Sequence, residues 1–212
     1  MIHYGTRAYL HARAASTDPT AESIDMSHLL SRTAASERSL AAQLALEIGV
    51  TASFVVAMVA SAHLRLPLPF TPVPLTLQTL VVLLAGACLG PRLGFVAATS
   101  YLVLSLQGLP VMAGPSFIGP TGGYVLGFIL AAMIMGYAMR SRDWRWLTVG
   151  AVAASLTILL CGSLWLGGFM GQNWARAFQL GFLPFLPGDA LKTAAVILLI
   201  RQFQPQMRRL LG

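Results

Sequence analysis

The stretch Pro187-Gly188-Asp189-Ala190-Leu191-Lys192-Thr193 leads into the apolar run AVILLI, which ends at Ile200. Lys192 is the only lysine among the 14 Lys and Arg residues of the chain. Because Asp189 and Lys192 are three residues apart, a helix that begins at Pro187 carries both side chains on one face. Ionisable groups inside a membrane helix are costly, and they indicate a binding site or an ion path by default. The stretch therefore predicts a functional pair at one end of an apolar helix.

The composition indicates an integral membrane protein. Hydrophobic residues make up 56% of the 212 residues and charged residues only 10%, whereas soluble domains contain about 25% charged residues. A chain of this length accommodates several helices of the about 20 apolar residues that a bilayer crossing needs. The net charge of +7 comes from arginine, and we interpret it as a signal of membrane topology rather than of nucleic-acid binding.

Six apolar segments predict an all-α integral membrane protein with six transmembrane helices. They are residues 40–63, 74–90, 93–107, 123–139, 146–169 and 187–204. The second and third segments are separated only by Gly90-Pro91-Arg92, so we expect them to be antiparallel neighbours. We predict three regions: a mobile cytoplasmic N-terminal arm (1–38), the six-helix membrane domain (39–205) and a basic cytoplasmic tail (206–212).

The distribution of arginines predicts that both termini are cytoplasmic, because cytoplasmic loops carry an excess of positive charge. Nine arginines flank the segments on the side of the termini: Arg32, Arg38, Arg92, Arg140, Arg142, Arg145, Arg201, Arg208 and Arg209. Only Arg65 and Arg176 belong to the loops of the opposite side. Asp189 and Lys192 are then expected toward the outer face.

The connection between the third and fourth segments, residues 108–123, is named here the Gly/Pro loop. Eight of its sixteen residues are Gly or Pro and none is charged. Irregular backbone at a membrane is tolerated only where it is buried in protein or lines a cavity. We predict an ordered outer lid or plug that faces Lys192, with a space-filling re-entrant loop as the alternative. Together with the apolar connections 66–74 and 183–187, this loop outlines a small apolar ligand pocket.

The first segment carries small residues at every fourth position: Ala41, Ala45, Gly49, Ser53, Ala57 and Ser61. Small residues on one helix face let another helix approach closely, which is a main route of helix association in lipid. This small-residue stripe predicts either packing within the chain or a docking face for another protein. The sequence alone leaves both interpretations open.

Four motifs, in this order along the chain, resemble the BioY family of biotin transporters. They are Pro74-Leu75-Thr76-Leu77-Gln78-Thr79-Leu80, Gly90-Pro91-Arg92-Leu93-Gly94, Gly119-Pro120-Thr121-Gly122-Gly123-Tyr124, and Pro187-Gly188-Asp189 with Lys192. The resemblance covers residues 40–205, and the last two motifs together are specific. One departure lies in the Gly/Pro loop, where the family pattern leads us to expect an aromatic residue and Met112 is found.

The resemblance implies a six-helix subunit that captures biotin for uptake across the inner (plasma) membrane of a bacterium. Members of this family are S components of energy-coupling-factor (ECF) transporters and work with a transmembrane coupling subunit and two ATPase subunits. In related S components the small-residue face of the first helix docks on the coupling protein. A self-sufficient biotin transporter acting as a homo-oligomer is one alternative, and an intramembrane enzyme acting on a lipid or small acid is a remote one.

The resemblance puts Asp189 and Lys192 at ligand-binding positions. Lys192 would donate to an anionic or carbonyl oxygen, and Asp189 would accept an N–H or hold the ammonium group. The alternative is an Asp–Lys pair that is only structural. No Cys/His cluster indicates a metal or cofactor site, and we predict that the chain is not an enzyme.

Five further residues are predicted around the ligand. Gly122 and Gly123 would let the backbone approach it, and Tyr124 would supply a ring face or a hydroxyl group. Gln78 is predicted as a polar contact, with an interhelical hydrogen bond as the alternative. Trp165 would line the pocket or anchor the helix at the membrane interface.

Overall fold

The computed structural model describes residues 19–114, 116–141 and 143–211, with side chains from residue 39 to residue 203 within these ranges. Of the predicted arm, residues 1–18 lie outside the described residues, and residues 19–38 form the start of helix α1, which begins at Pro19. The elements are α1 (Pro19–His63), β1 (Arg65–Leu66), β2 (Leu75–Thr76), α2 (Gln78–Leu106), α3 (Gly122–Ala138), α4 (Trp144–Phe169), α5 (Trp174–Gly181), a 3-10 turn (Leu183–Phe185) and α6 (Leu186–Leu211).

The chain divides into two compact units, Met1–Glu47 and Ile48–Gly212. The second unit contains the end of α1 and all later elements. The cavity described below lies within this second unit.

Helix α4 is apolar on both its buried and its exposed faces. In α4, Ala151, Ala154 and Ile158 are buried, while Val152, Leu156 and Leu160 on the other face are exposed. A helix that is apolar all round either lies in a protein core or spans a membrane. Four stretches of the described residues are long and apolar enough for a crossing: Ser39–His63, Gln78–Leu106, Trp144–Phe169 and Trp174–Phe203. The prediction of an all-helical, multi-pass membrane protein is therefore confirmed.

Helix α2 is two antiparallel arms joined at Gly90. The backbone of Gly90 has φ 73° and ψ 179°, a conformation that glycine adopts at little cost. The side-chain amide of Gln78 donates to the Tyr101 hydroxyl oxygen at 2.7 Å, although a straight helix would separate these residues by about 35 Å. The predicted tight turn at Gly90-Pro91-Arg92 thus returns the chain alongside itself.

Helix α3 packs closely against both arms of α2 and against α4 because small residues line its contacts. A Cβ atom built on Gly86 of α2 would lie 3.0 Å from the Ala132 Cα, and one on Gly127 would lie 2.9 Å from the Ile158 Cα. A Cβ on Gly136 would lie 2.6 Å from the carbonyl carbon of Gly90 and 2.7 Å from the Cα of Pro91. The end of α3 therefore abuts the turn of α2.

We expect Gly136→Ala to lower the free energy of unfolding by about 1–3 kcal/mol, because the added methyl group meets backbone atoms that have no room to move. Gly168→Ala in α4 is the matched control, since nothing lies within 4 Å of its Cβ position. The control should be neutral or stabilising by up to about 1 kcal/mol. Thermal unfolding of both variants in detergent checks this, and equal stabilities would contradict the packing described.

Candidate functional site

Asp189 and Lys192 form a buried ion pair in the first turns of α6. Their exposed fractions are 3% and 8%. The Lys192 ammonium donates to Asp189 Oδ1 and to the backbone carbonyl oxygen of Thr76 at 2.9 Å. Thr76 lies in β2, which pairs antiparallel with β1 in the register Arg65 to Thr76. The short strand pair thus holds the carbonyl group that completes the environment of Lys192.

The ion pair lies in the wall of a cavity built by α2, α3, α4, α6 and two of the connections between elements. The lining residues are Val73, Pro74, Thr76, Gln78, Thr79, Tyr101, Met112, Ala113, Thr121, Tyr124, Val125, Phe128, Leu159, Phe185, Asp189 and Lys192. Apolar and aromatic side chains with a few polar groups are the usual lining of a small-molecule site.

Two tyrosines of the cavity use their hydroxyl groups within the protein. The Tyr124 hydroxyl donates to the carbonyl oxygen of Gly181 at 2.5 Å. The Tyr101 hydroxyl donates to the carbonyl oxygen of Val111 at 2.9 Å while it accepts from Gln78. Both rings are thereby fixed, and what they offer a ligand is their apolar surface.

The Gly/Pro loop is held by side chains from three other elements. Besides the Tyr101 bond to Val111, Arg65 Nη1 donates to the carbonyl oxygen of Ala113 at 2.6 Å. The indole N–H of Trp165 donates to the carbonyl oxygen of Gly119 at 2.9 Å. Three loop residues, Met112, Ala113 and Thr121, are buried and line the cavity.

The structure brings four of the predicted site residues together around the cavity and puts three elsewhere. Gln78, Tyr124, Asp189 and Lys192 are lining residues. Gly122, Gly123 and Trp165 instead contact one another, because a Cβ on Gly122 would lie 3.2 Å from the Trp165 ring and one on Gly123 would lie 2.8 Å from its Cγ. The two glycines therefore let α3 approach α4, and the ring of Trp165 packs on Phe117 of the Gly/Pro loop.

Four polar lining residues were not predicted from the sequence: Thr76, Thr79, Tyr101 and Thr121. Three of them stand inside the quoted motifs, so their position along the chain was a signal. The residue type of these threonines was not a signal, because threonine is common at helix ends for reasons unrelated to ligands. Tyr101 stands in an apolar segment outside those motifs.

Two oxygen atoms of the cavity residues have no hydrogen-bond partner among the described residues. They are Asp189 Oδ2 and Thr121 Oγ1, and both are buried. The described residues contain no group of three or more His, Cys, Asp or Glu side chains that could hold a metal ion.

We expect Tyr101→Phe to lower the free energy of unfolding by about 1–3 kcal/mol, because the Gln78 amide and the Val111 carbonyl would each lose a buried partner. Tyr137→Phe is the control, since Tyr137 is 54% exposed. Loss of its hydroxyl group should change the free energy of unfolding by no more than about 0.5 kcal/mol. Thermal unfolding in detergent measures both, and an unchanged Tyr101→Phe variant would mean that these bonds contribute nothing.

The apolar helices and the cavity with its buried ion pair define the class of this chain: a multi-pass, all-helical membrane protein with a small-molecule cavity. The model of the BioY family matches residues 31–209. The chain belongs to the BioY family, and the resemblance drawn from its motifs is confirmed.

Individual relatives agree with this assignment. The chain is 39% identical over 163 residues to the probable biotin transporter BioY of Pyrococcus horikoshii, covering 74% of this chain and 96% of the relative. It is 34% identical over 181 residues to the biotin transporter BioY of Rhodobacter capsulatus, covering 74% and 93%. A crystal structure of the S-component for biotin from an ECF-type ABC transporter has the same fold, with a TM-score of 0.69 at 24% identity over 77% of this chain and 93% of that one.

Proposed function

We propose that this chain takes up biotin as the biotin-binding membrane subunit of an ECF-type transporter. The observation that carries the proposal is the buried Asp189–Lys192 pair in the wall of the cavity, with one carboxylate oxygen left without a partner. The names of the relatives supply the substrate.

The pair offers a ligand one donor beside one acceptor. An ammonium group has three N–H donors, and Lys192 uses two of them, on Asp189 and on Thr76. The remaining N–H and the free Asp189 Oδ2 match a ureido group, which presents a carbonyl oxygen next to an N–H. A carboxylate would set its own negative charge against Asp189. We therefore infer that the ureido ring of biotin, and not its carboxylate, meets the ion pair.

We expect Lys192→Met and Asp189→Asn each to weaken biotin binding at least tenfold, about 1.4 kcal/mol. Removing one partner of a buried pair also destabilises a protein by about 3–5 kcal/mol, so folding must be separated from binding. The double variant has no unpaired charge and should recover much of the stability without recovering the affinity. Equilibrium binding of labelled biotin and thermal unfolding in detergent measure both quantities.

Arg176→Met is the control, because it removes a positive charge from an exposed residue outside the cavity. It should leave both stability and biotin affinity near the wild-type values. Wild-type affinity in either single variant at the ion pair would contradict the site assignment. Failure of the folded wild-type protein to bind biotin would contradict the proposed substrate.

We further propose six membrane crossings with cytoplasmic termini, which puts the cavity at the outer face. Counting the two arms of α2 separately, the described part of the chain has six apolar helical arms. Arg92 belongs to the turn of α2, and Gly136 abuts that turn, so Arg140 also lies at this end. Gln78 and Tyr101 line the cavity about 18 Å along the arms. The positive-inside rule assigns the arginine-rich end to the cytoplasm.

The same proposal includes the predicted division into a cytoplasmic arm (1–38), a membrane domain (39–205) and a cytoplasmic tail (206–212), in the plasma membrane of a bacterium. Under it the Gly/Pro loop is the outer lid of the cavity. Its support is that Met112 and Ala113 line the cavity while side chains from other elements hold the loop backbone.

We propose that a transmembrane coupling subunit, itself joined to two ATPase subunits, docks on the small-residue stripe of α1. Gly49 and Ser53 are exposed, and nothing lies within 4 Å of the Gly49 Cβ position. At about 100° per residue these two residues lie opposite the buried side of the helix, where Met58 and Ala62 are found. Ala41 and Ala45 are also exposed, whereas Ala57 is half-buried and Ser61 is buried. The exposed part of the stripe favours docking over internal packing.

Gly49→Leu and Ser53→Leu should leave biotin binding by the purified chain unchanged and reduce ATP-dependent uptake in cells that contain the partner subunits, because bulk on the stripe prevents close helix approach. Ala194→Leu adds similar bulk to an exposed position of α6 and should leave uptake unchanged. Uptake measurements with labelled biotin check this. Full uptake by the chain in cells without partner subunits would instead favour the self-sufficient homo-oligomer.

An enzymatic role has less support than transport. The relatives carry the name of transporters. The cavity lining contains one acid and one base, Asp189 and Lys192, and each already neutralises the other. General acid–base chemistry needs a group whose proton is free to move to or from the substrate.

A further inference from the structure

The wall of the cavity contains two buried oxygens without a hydrogen-bond partner among the described residues. In the described part of the chain, five buried side-chain oxygens lack a hydrogen-bond partner, and they belong to Thr51, Thr99, Thr121, Asp189 and Thr193. Only Thr121 and Asp189 among them line the cavity. Asp189 is already part of the proposed biotin site, so Thr121 is the group that the proposed function does not use.

The Thr121 hydroxyl group does not cap the helix, although capping is the usual role of a threonine at this position. Thr121 is the N-cap residue of α3, but its side chain makes no capping hydrogen bond. The amide of Tyr124 bonds instead to the backbone carbonyl oxygen of Thr121 at 3.2 Å. Leaving a buried hydroxyl group without a partner costs about 1–3 kcal/mol. That cost is offset if a bound ligand supplies the missing partner.

The Gly/Pro loop leaves room for this hydroxyl group. A Cβ atom on Gly114 would lie 2.6 Å from Thr121 Oγ1, so a side chain at this loop position would cover the oxygen. Thr121 is only 7% exposed, which shields any hydrogen bond it makes from water. The Thr121 hydroxyl oxygen is thus buried beside a glycine, and no group of the described chain makes a hydrogen bond to it.

We propose that Thr121 is a ligand-binding residue whose hydroxyl group makes a hydrogen bond to a polar group of the bound molecule. The inference rests on the proposed function and extends it, since it adds a third polar contact to those of Asp189 and Lys192. A hydroxyl group both donates and accepts, so it suits either the second ureido N–H of biotin or the carboxylate at the end of its tail.

Thr121→Val keeps the shape of the side chain and removes the hydroxyl group. We expect it to weaken biotin binding about fivefold, which corresponds to ~1 kcal/mol. The stability of the ligand-free protein should stay equal or rise, because an unsatisfied buried group is gone. A purely structural role predicts the opposite, namely lower stability with unchanged affinity. Equilibrium binding of labelled biotin and thermal unfolding without biotin separate the two.

Three further variants control this measurement. Thr121→Ser retains the hydroxyl group and should bind within about twofold of wild type. Thr121→Ala removes it without adding a methyl group and replaces the valine variant if that one fails to fold. Thr99→Val removes another unpartnered buried hydroxyl, away from the cavity, and should not change affinity. Wild-type affinity in Thr121→Val, or equal losses in the serine and valine variants, would overturn the inference.

Binding of a biotin analogue whose tail carboxylate is replaced by a methyl group identifies the partner group. If Thr121→Val carries no penalty for this analogue, the hydroxyl group contacts the carboxylate; if the penalty persists, the contact is to the ring. Both results support a ligand contact. Absence of biotin binding by the wild type overturns the proposed function itself, whereas wild-type binding with an indifferent Thr121 overturns only this inference.

Discussion

The buried ion pair of Asp189 and Lys192 constrains the architecture around it. Two charges taken out of water and into an apolar helix need close to complete pairing and hydrogen bonding, because otherwise desolvation outweighs their attraction. Asp189 supplies one partner of Lys192, and the carbonyl oxygen of Thr76 supplies another. That carbonyl oxygen is at hand because β1 and β2 pair across the connection between α1 and α2. A two-residue strand pair thus has a clear physical role in an otherwise helical protein.

Close helix packing holds together the helices that surround the cavity. Gly86, Gly127 and Gly136 bring α3 into near-backbone contact with its neighbours, and such packing is what holds helices together where lipid removes the hydrophobic driving force. Tyr101 and Tyr124 lie in the wall of the cavity, and each donates a hydrogen bond from its hydroxyl group to a backbone carbonyl oxygen. The Gly/Pro loop is fastened in the same manner, by side chains that bond to its backbone. A loop held through its carbonyl groups needs few side chains of its own, which suits a sequence rich in glycine and proline.

The elements that sequence predicted best were those with a local cause. Gly90-Pro91-Arg92 forces a tight reversal whatever surrounds it, and the three-residue spacing of Asp189 and Lys192 fixes their common face. The roles of residues that depend on what packs against them were harder to predict. Gly122 and Gly123 were predicted to admit a ligand, but the absence of a side chain equally admits a helix, and here it admits Trp165. Thr121 was overlooked because an N-cap threonine looks the same in sequence whether or not its hydroxyl caps the helix. The interpretation of the stripe on α1 stayed open for the same reason. The four-residue spacing shows that the small residues share one helix face, but it does not show what packs against that face.

The hydrogen-bonding capacity left in the cavity also explains how one site could reject most small acids. A simple carboxylate offers only acceptors, so it could satisfy the last N–H of Lys192 but not Asp189 Oδ2, and it would bring a second negative charge to that oxygen. A cyclic urea offers an acceptor and a donor side by side and leaves neither member of the pair unsatisfied. Leaving a buried charged group without its partner costs more than a hydrogen bond usually contributes. Selectivity in this cavity would therefore come mainly from the cost of what a wrong ligand leaves unpaired, and the same ion pair that constrains the fold would also discriminate between substrates.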